Sequence, residues 1–301
     1  MTRLREALDA GEFVVTAELG PPLQPDAGPV HETARAFAPI VHAANVTDNQ
    51  AATVKLSPLA CSGWMLEEGL EPIMQVTVRD RNLLALQADL LGAWALGVRA
   101  ILALSGDPLK VGPYEGLSKP VGDLDSVGLL ELVAHMNEGT LAAGESLDPP
   151  TDFLVLTAAN PLVDSLERLD RKLAAGAHGF QTNIVYDVDR FAVWLEPLVE
   201  AGITERAPMI VGVTPPRSRR ALQYMHDHIP GIEVDEDTFA RMDGVEGEAA
   251  RQAGIAIAVD VIARLREIPQ VAGVHLMAPG WEAEAVPLVV AGARLANTTS
   301  S

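Results

Sequence analysis

Residues 153–187 read FLVLTAANPLVDSLERLDRKLAAGAHGFQTNIVYD. The first eight are almost wholly apolar and end at Asn160. Leu162, Leu166, Leu169 and Leu173 then recur at helical spacing and stop at Gly176. A second short apolar run, 180–187, follows. A run this short is too brief for a helix, and continuous apolarity marks a strand buried on both faces, as in a parallel sheet. The stretch is one strand–helix–strand unit.

The unit repeats in both directions. Apolar runs stand at 13–18 (FVVTAE), 43–48 (AANVTD), 72–78 (PIMQVTV), 100–107 (AILALSGD), 208–214 (PMIVGVT) and 274–278 (VHLMA). Between them, Leu83, Leu86, Leu90 and Trp94 space a helix that stops at Gly97. Leu129, Val133 and Met136 space another, with Ser126 as its N-cap and Gly139 as its stop. Ile255, Val261, Ile262 and Leu265 mark a long one before the last strand. Eight such strands in 301 residues predict an α/β fold, a (β/α)8 TIM barrel, as one domain over residues 1–301. A doubly wound sheet is the competitor. Its Gly-rich phosphate turn would follow the first strand, where this chain has Glu18-Leu-Gly-Pro-Pro22.

Composition limits the partners. Lys and Arg total 22 against 41 Asp and Glu, a net charge of −19. Such a surface repels nucleic acid and anionic lipid. Cys61 is the single cysteine, so neither an internal disulfide nor a thiolate zinc site is available. The first residues carry charge and no apolar signal segment, and no run reaches membrane-span length. The expectation is a cytoplasmic protein with no membrane partner and no metal; the sequence leaves a homo-oligomer open.

In a barrel, chemistry gathers at the C-terminal strand ends. These ends carry Glu18, Thr47, Asp48, Gln75, Thr77, Asp107, Asn160, Asn183, Thr214 and His275. Glu18 stands in an apolar strand before two prolines, where a carboxyl has a raised pKa and suits proton donation near neutrality. Asp48 reads as a functional strand-end carboxylate or as one that caps a helix or closes a turn. Ser105-Gly106-Asp107 reads as a backbone that admits a flat ligand, with Asp107 facing a ring N–H, or as an ordinary turn. Arg217, Arg219 and Arg220 read as an anion site or as a solvated helix start. Arg168, Arg171 and Lys172 read as phosphate ligands or as partners of Glu167 and Asp170. His275 reads as a satisfied core histidine.

Eight landmarks in order then add a resemblance: FVVTAELGPP (13–22), NVTDN (45–49), VTVRDRN (76–82), LSGDP (104–108), DLDSVGL (123–129), AANP (158–161), RKLAAGAHGFQTN (171–183) and IPGI (229–232). Together they resemble the methylenetetrahydrofolate reductase family, in its short bacterial form, over nearly the whole chain. The resemblance implies flavin-dependent reduction of 5,10-methylenetetrahydrofolate to 5-methyltetrahydrofolate, with FAD as cofactor and NAD(P)H as hydride source. It implies that Glu18 protonates N10 of the folate and that Asp107 lies beside the flavin pyrimidine and the folate. It places Thr47, Asp48, Gln75, Ser105 and Gly106 around the flavin, Asn160 near its adenosine half, and Arg171 and Lys172 on its tail. Asn183 and Arg219 fall at substrate positions. Both depart from the family pattern, since many members have glutamine at the first and an apolar or aromatic residue at the second. Two other readings stay open: direct hydride transfer from NADH without flavin, and a silent folate-binding subunit of a methyl-transfer complex.

Overall fold

The computed structural model describes residues 2–295. Eight strands, β1 (Val14–Leu19), β2 (Ala43–Val46), β3 (Pro72–Thr77), β4 (Ala100–Leu104), β5 (Leu154–Ala159), β6 (Gly179–Ile184), β7 (Met209–Val213) and β8 (Val271–Leu276), form a closed barrel in sequence order. All pairings are parallel, and β8 returns to β1 through Thr16↔His275. Parallel neighbours need a crossover, and helices supply it. The fold is the expected (β/α)8 TIM barrel. β8 begins three residues before its apolar run, at Val271, which pairs with Met209. The cap of helix Ser126–Asn137 also differs. Asp125, in extended conformation, accepts the Gly128 N–H, so Ser126 is the first helical residue. Gly97 ends helix Leu83–Leu96 in the left-handed conformation, as expected.

Strand side chains alternate between the barrel interior and the helices. Inside, the alternation produces layers. Val14, Ala43, Ile73, Leu156 and Ile210 form an apolar floor with Leu4 and Ala7 of helix Arg3–Asp9. Two residues further along, β1, β2 and β3 turn polar with Thr16, Asn45 and Gln75, and β6 adds Gln181. Glu18 and Thr77 stand above it. The outer strand faces pack on the helices through two large apolar clusters.

One irregularity serves the open end. The β6–β7 register slips between Gln181 and Ile184. Thr182 Oγ1 takes the Gly212 N–H at 3.0 Å in place of a ladder carbonyl. Bulges of this kind re-aim a side chain at a barrel rim, and here the residue is Asn183. Among the described residues, no helix is long and apolar enough to cross a membrane.

Candidate active site

A cavity of about 340 Å³ opens at the C-terminal ends of the strands, lined by Glu18, Gln75, Ser105, Gly106, Asp107, Asn160 and Asn183, among others. Its floor is the polar layer. Asn45 and Gln181 exchange amide hydrogen bonds of 2.7 and 3.2 Å across the barrel. Gln181 also reaches Thr16 Oγ1 at 3.4 Å, and Thr16 meets His275 Nδ1 at 2.9 Å. Burial holds His275 at a pKa of about 3, so it stays neutral, as the core reading expects.

Glu18 is 3 % exposed. Burial pushes its pKa up to about 7, the charge of Glu282 adds to the rise, and a hydrogen bond from Gln50 opposes it. A proton therefore resides on a carboxyl facing the cavity near neutral pH. Asp107 contrasts with it. It is exposed on the rim, and its Oδ2 accepts the Ala51 N–H at 2.6 Å. Gly106 precedes it with φ +84°, and a Cβ there would press on Thr77 and Arg79. The glycine thus meets a backbone demand and a close approach of protein, whatever ligand the cavity holds.

Asp48 is tied up structurally. Its Oδ2 accepts the Thr77 N–H (2.8 Å), the Thr77 hydroxyl (2.9 Å) and Arg81 Nη1 (2.6 Å). These bonds run to the end of β3 and to Arg81 beyond it, and not to a helix N-terminus. Thr47 is buried below the rim, and its N–H points to the Leu19 carbonyl at 3.5 Å. Asn160 and Asn183 both donate to the Pro230 carbonyl, at 3.0 and 3.4 Å. The 229–232 loop is thereby tied to two residues that line the cavity.

The family model for methylenetetrahydrofolate reductase matches residues 3–290, which is nearly every described position. The chain belongs to the methylenetetrahydrofolate reductase family. It is 28 % identical over 194 residues, 59 % of the chain, to methylenetetrahydrofolate reductase 1 of Schizosaccharomyces pombe. It is 25 % identical over 229 residues, 74 % of the chain, to methylenetetrahydrofolate reductase 2 of Saccharomyces cerevisiae. The matches span 30 % and 36 % of those two relatives, so this chain corresponds to about a third of their length. Among solved structures, a Clostridium thermocellum protein that binds two copies of 5-methyl-5,6,7,8-tetrahydrofolic acid shares the fold. Its TM-score is 0.67 at 14 % identity, with 97 % of each chain covered.

Against the family pattern, the structure brings Glu18, Gln75, Ser105, Gly106, Asp107, Asn160 and Asn183 to one cavity. Four residues, Thr47, Arg171, Lys172 and Arg219, do not line it. Lys172 is turned inward, with Nζ on the Ala158 carbonyl and 4.0 Å from Asp164. Arg219 lies outside the cavity, paired with Asp243 at 2.9 Å and stacked over Phe239. Ser218 caps its helix, so 217–220 is a helix start. Arg168 pairs with Asp164, and Asp170 pairs with Arg206 instead. Arg171 is exposed on the same helix. Among the described residues no three His, Cys, Asp or Glu side chains converge as metal ligands.

Sequence reading missed Asn45, Gln181, Gln50 and Glu282. The first two carried a signal. A polar residue at every second position of a buried strand (Thr16 and Glu18, Asn45 and Thr47, Gln75 and Thr77) marks the interior face. Gln50 and Glu282 carried none, because their importance lies in nearness to Glu18.

Proposed function

We propose that this cavity reduces 5,10-methylenetetrahydrofolate to 5-methyltetrahydrofolate, with NAD(P)H as hydride source. Glu18 is the observation that carries the reading. The five-membered ring of the substrate opens by cleavage of the bond between the methylene carbon and N10. The bonding pair goes to N10, and an amine leaves poorly unless it takes a proton. Glu18 gives that proton to N10 as general acid. The methylene carbon becomes the carbon of a 5-iminium cation, and one hydride then completes the methyl group. One proton and one hydride balance the step. Asp107, a carboxylate on the same rim, faces the developing cation and favours it electrostatically. Asn183 offers both a donor and an acceptor to the folate.

The residues fit a flavin ring. Gln75, Ser105 and the Gly106–Asp107 backbone present donors and acceptors to a flat heterocycle with alternating N–H and C=O edges. Bound there, FAD would take the hydride from NAD(P)H and pass it to the substrate carbon. The family match and the folate-binding structural relative support this reading. Two observations favour direct transfer from NADH as the second reading: Lys172, expected on the FAD tail, is held inside the protein, and the Asn160 amide is engaged by the Pro230 carbonyl. The visible spectrum of freshly purified protein separates the two. A band near 450 nm belongs to the flavin reading. NAD(P)H oxidation that depends on methylenetetrahydrofolate tests both, and its absence in a folded preparation rejects both in favour of a silent folate-binding subunit.

Two further outcomes are expected. The folate step should run at a constant rate on the acid side and fall about tenfold per unit above pH 7, because Glu18 must hold its proton to act. A rate that rises through pH 7 would exclude Glu18 as the acid. Asp107→Asn should slow folate reduction by on the order of 10–100-fold in a folded protein, by loss of the charge beside the cation. Unchanged turnover would leave Asp107 with only its bond to Ala51.

A further inference from the structure

The turn after β2 is built in an unusual way. Asn49 and Ala51 have φ of 47° and 53°, and Ala52 has 50°. Three non-glycine residues in the left-handed region need outside support, at a cost on the order of 1–3 kcal/mol each. The support is visible. Arg79 donates to the Asn49 carbonyl at 3.3 Å, and Asn49 Oδ1 takes the Lys55 N–H at 3.1 Å. Asp107 Oδ2, from the end of β4, holds the Ala51 N–H at 2.6 Å. Gly112 lies flat against the turn, and a Cβ there would collide with the carbonyl oxygens of Ala51 and Ala52. Gln50 is the one residue of this turn whose side chain lines the cavity, and its amide meets the Glu18 carboxyl.

We propose that the 49–52 turn is a positioning device for Glu18: Asp107 and Gly112 lock the turn, and the locked turn aims the Gln50 amide at the Glu18 carboxyl. The proposal rests on the reading of Glu18 as a proton donor and adds a residue to it. A carboxamide suits the task, because its N–H₂ donates to the carboxylate and its oxygen accepts from the acid. Gln50 thus holds the carboxyl in one orientation before and after the proton leaves. Asp107 then serves Glu18 through the turn as well as facing the substrate. The charged and titratable groups around Glu18 are Glu282 from the helix after β8, Asp107 across the cavity, Asp48 with its partner Arg81 on the β2 side, and neutral His275 on β8. Glu282 raises Glu18 and Gln50 lowers it, so the two can be separated by sign.

The test is a carbon-13 NMR titration of the full chain labelled at glutamate carboxyls, without substrate. The Glu18 signal is assigned by its loss in Glu18→Gln. In the native chain it should titrate near pH 7. Gln50→Leu should lower the acid dissociation constant of Glu18 roughly 3–10-fold, by loss of a hydrogen bond to the charged form. Gly112→Ala should act in the same direction by pushing the turn. Gln50→Asn, which keeps the amide on a shorter stem, should fall between Gln50→Leu and the native chain. Glu282→Gln should raise the constant. The falling limb of the folate-dependent rate should move with each midpoint. A Gln50→Leu midpoint unchanged within twofold, or moved toward acid, overturns the proposal, and Gln50 is exposed enough for that variant to fold. Midpoints that move as expected in a chain without folate activity would uphold the device and reject the reductase reading. Normal activity with an unmoved midpoint does the reverse.

Discussion

Glu18→Gln is expected to reduce folate-dependent turnover by about 10²–10⁴-fold, the usual contribution of a general acid. Glutamine keeps the size and hydrogen bonding of the side chain but has no acidic proton. The variant should therefore still bind folate, and any flavin it carries should still be bleached by NAD(P)H at a near-normal rate, since that hydride transfer needs no proton at N10. Stopped-flow spectroscopy separates the two halves. Reoxidation by methylenetetrahydrofolate within a few-fold of the native rate would falsify the assignment.

The same substitution has an opposite effect on stability, and its pH dependence can be worked out. The ordinary pKa of the group is 4.5, and in the fold it is raised to about 7. For a group raised by folding, the stability it contributes is intact below pH 4.5 and is lost as pH climbs to 7. Ionising Glu18 inside the barrel thus costs about 3 kcal/mol above neutrality, the linkage equivalent of that shift. The stability of Glu18→Gln relative to the native chain should climb by that order between pH 4 and pH 8. Denaturant unfolding at the two pH values measures it. A flat difference would mean that burial does not perturb the carboxyl. A site residue that destabilises the fold in its ionised form is held there by something other than stability.

Much of this was legible in the chain. The barrel could be read because short, mainly apolar runs recur eight times with segments of helical apolar spacing between them. The interior layers could have been read too, from the polar residue at every second position of β1, β2 and β3. The inward turn of Lys172 has a reason in the sequence. Lys172 stands three residues after Leu169, so both lie on the buried face of helix Leu166–Ala174. A long cationic side chain on that stripe must find an internal acceptor, and it finds the Ala158 carbonyl. Arg219 and Asp243 are 24 residues apart, and Asp48 and Arg81 are 33 apart. Local pattern cannot choose partners at such separations, because the barrel closure that unites them is a property of the whole sheet. Gln50 was hidden for the same reason: its distinction is a contact with Glu18 on the neighbouring strand.

Arg81→Leu should be among the most destabilising substitutions near this end of the barrel. The Asp48 side chain is 0 % exposed, and Arg81 is its counter-charge, at 2.6 Å. The two Thr77 donors would remain, but a buried carboxylate would then lack a cation. Removing one member of a buried pair typically costs about 3–5 kcal/mol, most of it the penalty on the charge left behind. In a chain of this size that corresponds to a fall in melting temperature of roughly 5–8 °C. Arg81 also holds Asp89 at 2.8 Å, but Asp89 is exposed enough to be solvated and adds little. Two comparisons identify the mechanism. Asp170→Ala breaks a pair whose members are both about half exposed, and it should cost less than about 1 kcal/mol. Asp48→Asn added to Arg81→Leu removes the stranded charge, keeps an acceptor for Thr77, and should recover part of the loss. If the double variant melts no higher than Arg81→Leu, the cost lies in lost packing of the arginine stem and the ion pair is not what holds this corner together.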